Sequence, residues 1–286
     1  AVFEADAEAL MAVPGVGEAL AQKLVHARKS LDLSADKRTL ERCNIEMLTF
    51  FDEAYPRHLR TIYDPPPVLF FKGTLMPQDE NAVAVVGSRR TSPYGLTLSR
   101  TLAADLARAG VTVVSGLAPG ADAAAHWGAL EGGGRTIGFA ACGLDVPYPS
   151  ANKDLLQRIP SQGAILSEYP LGTPPLRQVF QARNRLISGA ALATVVVEAP
   201  ERSGALITAD HALEQGRQVF VVPGDPSSPT SKGSNALLRE GALPVERAND
   251  ILAALGLTPG PQPTPPEPAL LGEEASVYAV LSTRPV

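Results

Sequence analysis

The chain has 286 residues, 45% of them hydrophobic and 19% charged, enough for one large domain with one or two small ones. Its net charge of −5 excludes a protein that binds polyanions over its whole surface, so any nucleic-acid site must be a local basic patch. The two cysteines, Cys43 and Cys142, give neither a disulfide framework nor a metal cluster. No signal peptide is evident and the longest apolar runs are of strand length, so a cytoplasmic protein is expected.

Residues 1–50 read as a small helical unit. Glu8–Val13 leads through Pro14-Gly15-Val16-Gly17 into Glu18–Lys29, which is the pattern of a helix-hairpin-helix, with Ala21 and Leu24 where the second helix would pack on the first. Glycines in such a turn free backbone N–H groups for a phosphate, so duplex DNA is a candidate partner here. Basic residues near the turn are sparse, and a plain helical bundle fits the same residues. Residues 51–81 read as a connector, stiffened by Pro65-Pro66-Pro67, with a short strand at Val68–Lys72.

From Ala82 to residue 257, strands and helices alternate. The strands are Ala82–Val86, Val111–Ser115, Thr136–Ala141, Ala164–Ser167, Ala193–Glu198 and Gln218–Val222, with a short edge strand at Leu243–Val245. Helices are expected at Tyr94–Ala109, Ala123–Leu130, Lys153–Arg158, Val179–Ser188, Leu206–Gln215, Asn235–Glu240 and Ile251–Leu255. This alternation is that of an extended Rossmann-like α/β domain: a doubly wound, mostly parallel sheet with helices on both faces. Residues 258–268 (TPGPQPTPPEP) read as a proline-rich linker. Residues 269–286 hold one helix-like stretch, Ala275–Leu281, expected to be a docking tail or the start of a further domain.

The most informative turn follows the first strand of this domain. In AVAVVGSRRTSPYG (82–95), Gly87 lets backbone approach closely, Ser88 offers a hydroxyl, Arg89 a planar cation, and the following helix N-terminus completes an anion site. An ordinary strand-to-helix turn with a surface arginine is the alternative. Glycines also follow strands at Gly116, Gly143 and Gly224, and in a doubly wound sheet such ends converge on a crevice. Ser115-Gly116 and Ser203-Gly204 add hydroxyls and tight turns, or caps for the helices they precede. In PPLRQVFQARNRLI (174–187), Arg177, Arg183 and Arg185 occur in a stretch without acidic residues, and Phe180 shares a helical face with Arg177. A cation beside an aromatic ring suits single-stranded nucleic acid, although Phe180 could equally be core and the arginines a solvated face. There is no Walker A, HExxH or GxSxG motif. His126 reads as a helix-packing or capping residue, and Asp122, Asp145, Glu168 and Glu198 as solvated or capping carboxylates.

Seven ordered motifs carry a specific resemblance: VVGSRRTSPYG (85–95), SGLAPGADAAAH (115–126), GLDVPYP (143–149), SEYPLGTPP (167–175), FQARNRLISG (180–189), VVEAPERSGALITADHALEQGRQVFVVPG (196–224) and GSNALLREGA (233–242). Together they resemble the DNA-processing protein A (DprA, or Smf) family. The helical start resembles that family's SAM-like domain, and the chain's end the beginning of its winged-helix domain. The resemblance implies a homodimeric, non-enzymatic protein without cofactor or metal. Such a protein binds single-stranded DNA independently of sequence and loads the RecA recombinase during natural transformation. By position it makes Arg89 the phosphate-gripping arginine, Arg177 its basic partner and Phe180 the base-stacking ring. Gly87, Ser88, Ser115, Gly116, Asn184, Ser203 and Gly204 would line the pocket. Ala121 stands where relatives usually carry isoleucine, which is expected to change packing only. A nucleotide-binding enzyme of the phosphoribohydrolase type shares the expected architecture, but its PGGxGTxxE motif is missing; the nearest stretch here reads ERSGALITAD.

Overall fold

A computed structural model describes residues 4–30 and 33–257. The linker and tail expected over 258–286, with the helix-like stretch Ala275–Leu281, lie outside the described residues. Three helices come first: α1 (Ala7–Met11), α2 (Glu18–Ser30) and α3 (Leu33–Cys43). One sheet of nine strands follows: β1 (Glu46–Thr49), β2 (Val68–Gly73), β3 (Ala82–Val86), β4 (Thr112–Ser115), β5 (Thr136–Phe139), β6 (Gly163–Ser167), β7 (Ala193–Val196), β8 (Gln218–Val221) and β9 (Leu243–Pro244). The helices between and after them are α4 (Pro93–Arg108), α5 (Ala121–Glu131), α6 (Lys153–Arg158), α7 (Arg177–Gly189), α8 (Gly204–Glu214), α9 (Lys232–Arg239) and α10 (Ala248–Leu255).

The strand order is β1-β2-β6-β5-β4-β3-β7-β8-β9. From β6 to β9 every pairing is parallel, while β1–β2 and β2–β6 are antiparallel. The fold is therefore the expected Rossmann-like α/β sheet, with one difference at its edge. The short strand expected at Val68–Lys72 within the connector forms as β2 and joins the sheet, and β1 falls where helix was expected, so the sheet starts at Glu46.

β3 is buried along its whole length, as a central parallel strand covered on both faces must be. Its alternating side chains serve two cores. Ala82, Ala84 and Val86 face Leu186, Ile187 and Ala205, with Leu59 and Tyr55 from the 50–66 stretch completing that layer. Val83 and Val85 face Leu102, Leu106 and Ala125, joined by Ile251.

Local rules fix α4 at both ends. Ser92 caps it, its Oγ accepting from the Gly95 amide at 3.1 Å, and Pro93 opens the first turn. At the far end the Gly110 amide donates to the Ala107 carbonyl and the Val111 amide to Leu106, the pairing of a glycine-terminated helix. Between them Gly95, Ser99, Leu102, Ala103, Leu106 and Ala107 form the buried stripe that turns α4 onto the sheet.

Candidate functional site

β3 lies between β4 and β7. The chain leaves β3 for β4 by way of α4, and reaches β7 from the other half of the sheet by way of α7. The loops beyond the ends of these strands therefore part, the place where open α/β sheets bind ligands. An open cleft of about 1130 Å³ occupies it. One wall is the β3–α4 loop with Gly87, Ser88, Arg89 and Arg90. A second is the first half of α7 with Arg177, Phe180, Gln181, Arg183 and Asn184. The third is the β7–α8 loop and first turn of α8, with Glu201, Arg202, Ser203 and Gly204.

The β3–α4 loop is held from below by Glu198. The Ser88 amide donates to the Glu198 carbonyl at 2.7 Å, and the Glu198 carboxylate accepts from the Ser92 amide at 2.7 Å and from the hydroxyls of Thr91 and Thr230. Burial alone would raise the Glu198 carboxyl, but these hydrogen bonds outweigh it and hold the group below its ordinary range. Gly87 is required by close approach: a Cβ there would lie 2.6 Å from that of Ala121, itself fully buried. Ala121 thus packs directly beneath the turn that carries Arg89.

Arg89 extends from this loop over the ring of Phe180, its guanidinium carbon 4.9 Å from the ring centroid. Tyr148 meets the same ring at 5.6 Å with a 57° tilt. A cation over an aromatic face is attracted by the ring quadrupole, by roughly 0.5–1 kcal/mol at an exposed site. The sequence pairs Phe180 with Arg177; in the fold the ring's cation comes from the opposite wall, and Arg177 is exposed at the start of α7.

Arg183 lies beneath the floor, only 3% exposed. Its Nη1 donates to the Gly116 carbonyl at 2.7 Å and to that of Phe139, while its Nε has no partner among the described residues. Asp122 flanks it and accepts from the amides of Gly116 at 3.1 Å and Ala118 at 3.4 Å. Burial lowers Arg183 to about 10, against the opposing pull of Asp122, so it is still a cation at neutral pH. Burial also pushes the Asp122 carboxyl up, opposed by Arg183 and by the backbone N–H groups. Between Arg183, Gly116, Phe180 and Tyr148 a recess of about 10 Å³ remains, room for one water and not for a nucleotide.

Of the residues named from sequence, Gly87, Ser88, Arg89, Arg177, Phe180, Asn184, Ser203 and Gly204 line the cleft. Gly116 lines only the recess. Ser115 lines neither: it is fully buried, and its hydroxyl donates to the Val85 carbonyl at 2.7 Å, because its register at the end of β4 turns it into the sheet. Gly143 and Gly224 also lie outside the lining. The two cleft hydroxyls have local duties. Ser88 Oγ accepts from the Arg90 amide at 3.1 Å and Ser203 Oγ caps α8 by accepting from Ala205 at 3.2 Å. Asn184 donates to the Gly204 carbonyl at 3.1 Å, tying α7 to α8. Arg185, counted in the basic stretch, is held by Glu168 at 2.7 Å and Asp64 at 3.3 Å. Asp145 accepts from the Gly172 amide at 2.9 Å, so the strand-end carboxylates act as structural acceptors and ion partners. Sequence reasoning left out Arg90, Arg202 and Tyr148. The first two adjoin named motif residues, and Tyr148 stands within the GLDVPYP motif.

The family described as DNA recombination-mediator protein A matches residues 46–256. The protein Smf of Synechocystis is 40% identical over 255 residues, which is 88% of this chain and 64% of that protein, so the chain spans under two thirds of this relative's length. The DNA processing protein DprA of Streptococcus pneumoniae is 44% identical over 205 residues, 72% of each chain. Its X-ray structure superposes with a TM-score of 0.78 at 38% identity, covering 86% of this chain and 85% of that one. The DNA processing protein A of Helicobacter pylori, solved to define its single-stranded DNA binding mode, superposes with a TM-score of 0.66 at 32% identity, covering 74% of this chain and 95% of that one.

Proposed function

Because the chain belongs to the DNA recombination-mediator protein A family, we propose that it is a single-stranded DNA-binding recombination mediator whose strand lies in the cleft at the switch point. The observation that carries this reading is the Arg89–Phe180 stack, set in a cleft lined by further arginines on a chain of net charge −5. Arginines hold phosphates, a ring offers a face to a base, and neither contact reads sequence, so binding is independent of sequence and weakens with salt. The Helicobacter relative supports the ligand class. Homodimerisation, loading of RecA during natural transformation, the absence of bond cleavage and a cytoplasmic location belong to the same reading, and rest on the family resemblance. So does an accessory contact of the N-terminal helical hairpin with duplex DNA. Among the described residues, no helix is long and apolar enough to cross a membrane.

The test is fluorescence anisotropy with a labelled poly-dT oligonucleotide at several salt concentrations. Wild type should bind with a steep salt dependence. Arg89→Ala should weaken binding at least tenfold, because it removes the phosphate-gripping cation beside the Phe180 ring. Phe180→Ala should cost about 1–3 kcal/mol, the value of one base–aromatic stack. Binding that saturates with a mononucleotide and does not grow with strand length would favour a nucleotide enzyme instead.

A further inference from the structure

The arginines of this chain divide by partner. Arg57, Arg100, Arg108, Arg135, Arg185 and Arg247 pair with carboxylates. Arg60 and Arg217 donate to backbone carbonyls. Arg38, Arg42, Arg158, Arg177 and Arg239 belong to neither group, and nor do Arg90 and Arg202. Both are exposed and line the cleft, and among the described residues neither guanidinium has an ion pair or hydrogen bond. They stand on two different walls. Arg90 follows Arg89 on the loop that Glu198 holds, and Arg202 directly precedes the cap of α8. Next to Arg202 the chain is open: a Cβ on Gly204 would meet nothing closer than Asn184 Nδ2 at 3.9 Å, which leaves room for a ligand's backbone.

We propose that Arg90 and Arg202 form a second phosphate-gripping pair, which carries a bound strand past Phe180 and across the cleft to the first turn of α8. The proposal rests on the reading of the cleft as a single-strand site and adds its path. Phosphates flanking the base at Phe180 meet Arg89 and Arg177, and the next phosphate along the strand meets Arg90 and Arg202. Guanidiniums already paired to carboxylates would have to break those pairs to bind a phosphate. These two do not, and their charge is available to the ligand. The N–H groups at the start of α8 add the positive end of an 11-residue helix to the same place.

The experiment is a salt titration of oligo-dT binding by anisotropy, with Arg90→Ala, Arg202→Ala and Arg202→Lys. Arg158→Ala serves as the control, since Arg158 is exposed and lies outside the cleft lining. Because all of these side chains are exposed, the variants are expected to fold, and far-UV circular dichroism checks that they do. Each cleft variant to alanine should lose affinity roughly three- to tenfold and flatten the log–log salt slope by about 0.7. Arg202→Lys should recover most of the slope, and Arg158→Ala should match wild type. If Arg90→Ala and Arg202→Ala keep wild-type affinity and slope while Arg89→Ala abolishes binding, the second pair is refuted and the cleft reading stands. If Arg89→Ala also binds as wild type does, the cleft reading fails and this proposal fails with it.

Discussion

His126 shows how a single buried residue sets a pH dependence. It is fully buried on α5, with Nδ1 2.7 Å from the Thr136 hydroxyl, and that hydroxyl donates to the Val113 carbonyl at 2.8 Å. Thr136 has one proton to give, so the ring must donate from Nδ1 and leave Nε2 unprotonated, and Nε2 has no partner among the described residues. Burial first, and the nearby Arg183 charge second, depress the ring to about 3. In the unfolded chain the same ring titrates near 6.5. The unfolded state therefore binds one more proton between these values, so this residue's contribution to stability is complete above pH 6.5 and is lost as the pH falls toward 3. The slope approaches about 1.4 kcal/mol per pH unit. Urea melts of wild type and His126→Gln at pH 7, 6, 5 and 4 should show their stability difference moving against wild type by that slope. In NMR the His126 ring should not titrate between pH 8 and 5.

At the scale of elements, α4 and α5 are joined through backbone. A Cβ on Gly128 would lie 2.1 Å from the Arg100 carbonyl oxygen, and one on Gly132, a turn later, 2.6 Å from that of Ala104. Gly128→Ala gains roughly 1 kcal/mol of helix propensity, yet overpacking typically costs about 1–3 kcal/mol and more where it strikes backbone. The urea midpoint should therefore fall. Because α5 starts at Ala121 beneath Gly87, oligonucleotide binding should weaken along with it. Elements of this kind were legible where local signals were dense. β3, β4 and β7 are short apolar β-branched runs, and α4 carries its cap, its stripe and its stopping glycine. β1 was not legible, since Glu46-Met47-Leu48-Thr49 has no such run and becomes a strand only by pairing with β2. The stretch that forms α3, Leu33–Cys43, lies within the residues read as helical, and although it buries no residue its Leu40 and Cys43 pack against a core cluster. The site divides in the same way. Glycine turns and the basic run are local and readable, whereas the pairing of Arg89 with Phe180, the burial of Arg183 and the inward turn of Ser115 depend on contacts and registers far apart in sequence.

Across the whole molecule, the most consequential difference from the sequence reading is where the sheet begins. β2 covers the edge of β6, with Phe70 opposite Ser167 and Gly73 opposite Ala164, and Leu59, Leu69 and Phe71 belong to the main core. A fragment starting at Ala82 would bare the β6 edge and part of that core, and should be insoluble or aggregate. One starting at Asn44 should give a cooperative melt. Expression of the two fragments side by side, followed by circular dichroism, checks this. Whole-chain charge has the same lesson for function: a net charge of −5 coexists with a cleft whose arginines come from three walls, because acidic partners neutralise arginines elsewhere. The stack of Arg89 on Phe180 has an energetic corollary. With a cation already lying on the ring, a base stacking on that face, as proposed, would have to displace it. On the proposed single-strand reading, the net gain from each base at that ring is its stacking, about 1–3 kcal/mol, less the roughly 0.5–1 kcal/mol of the cation it displaces.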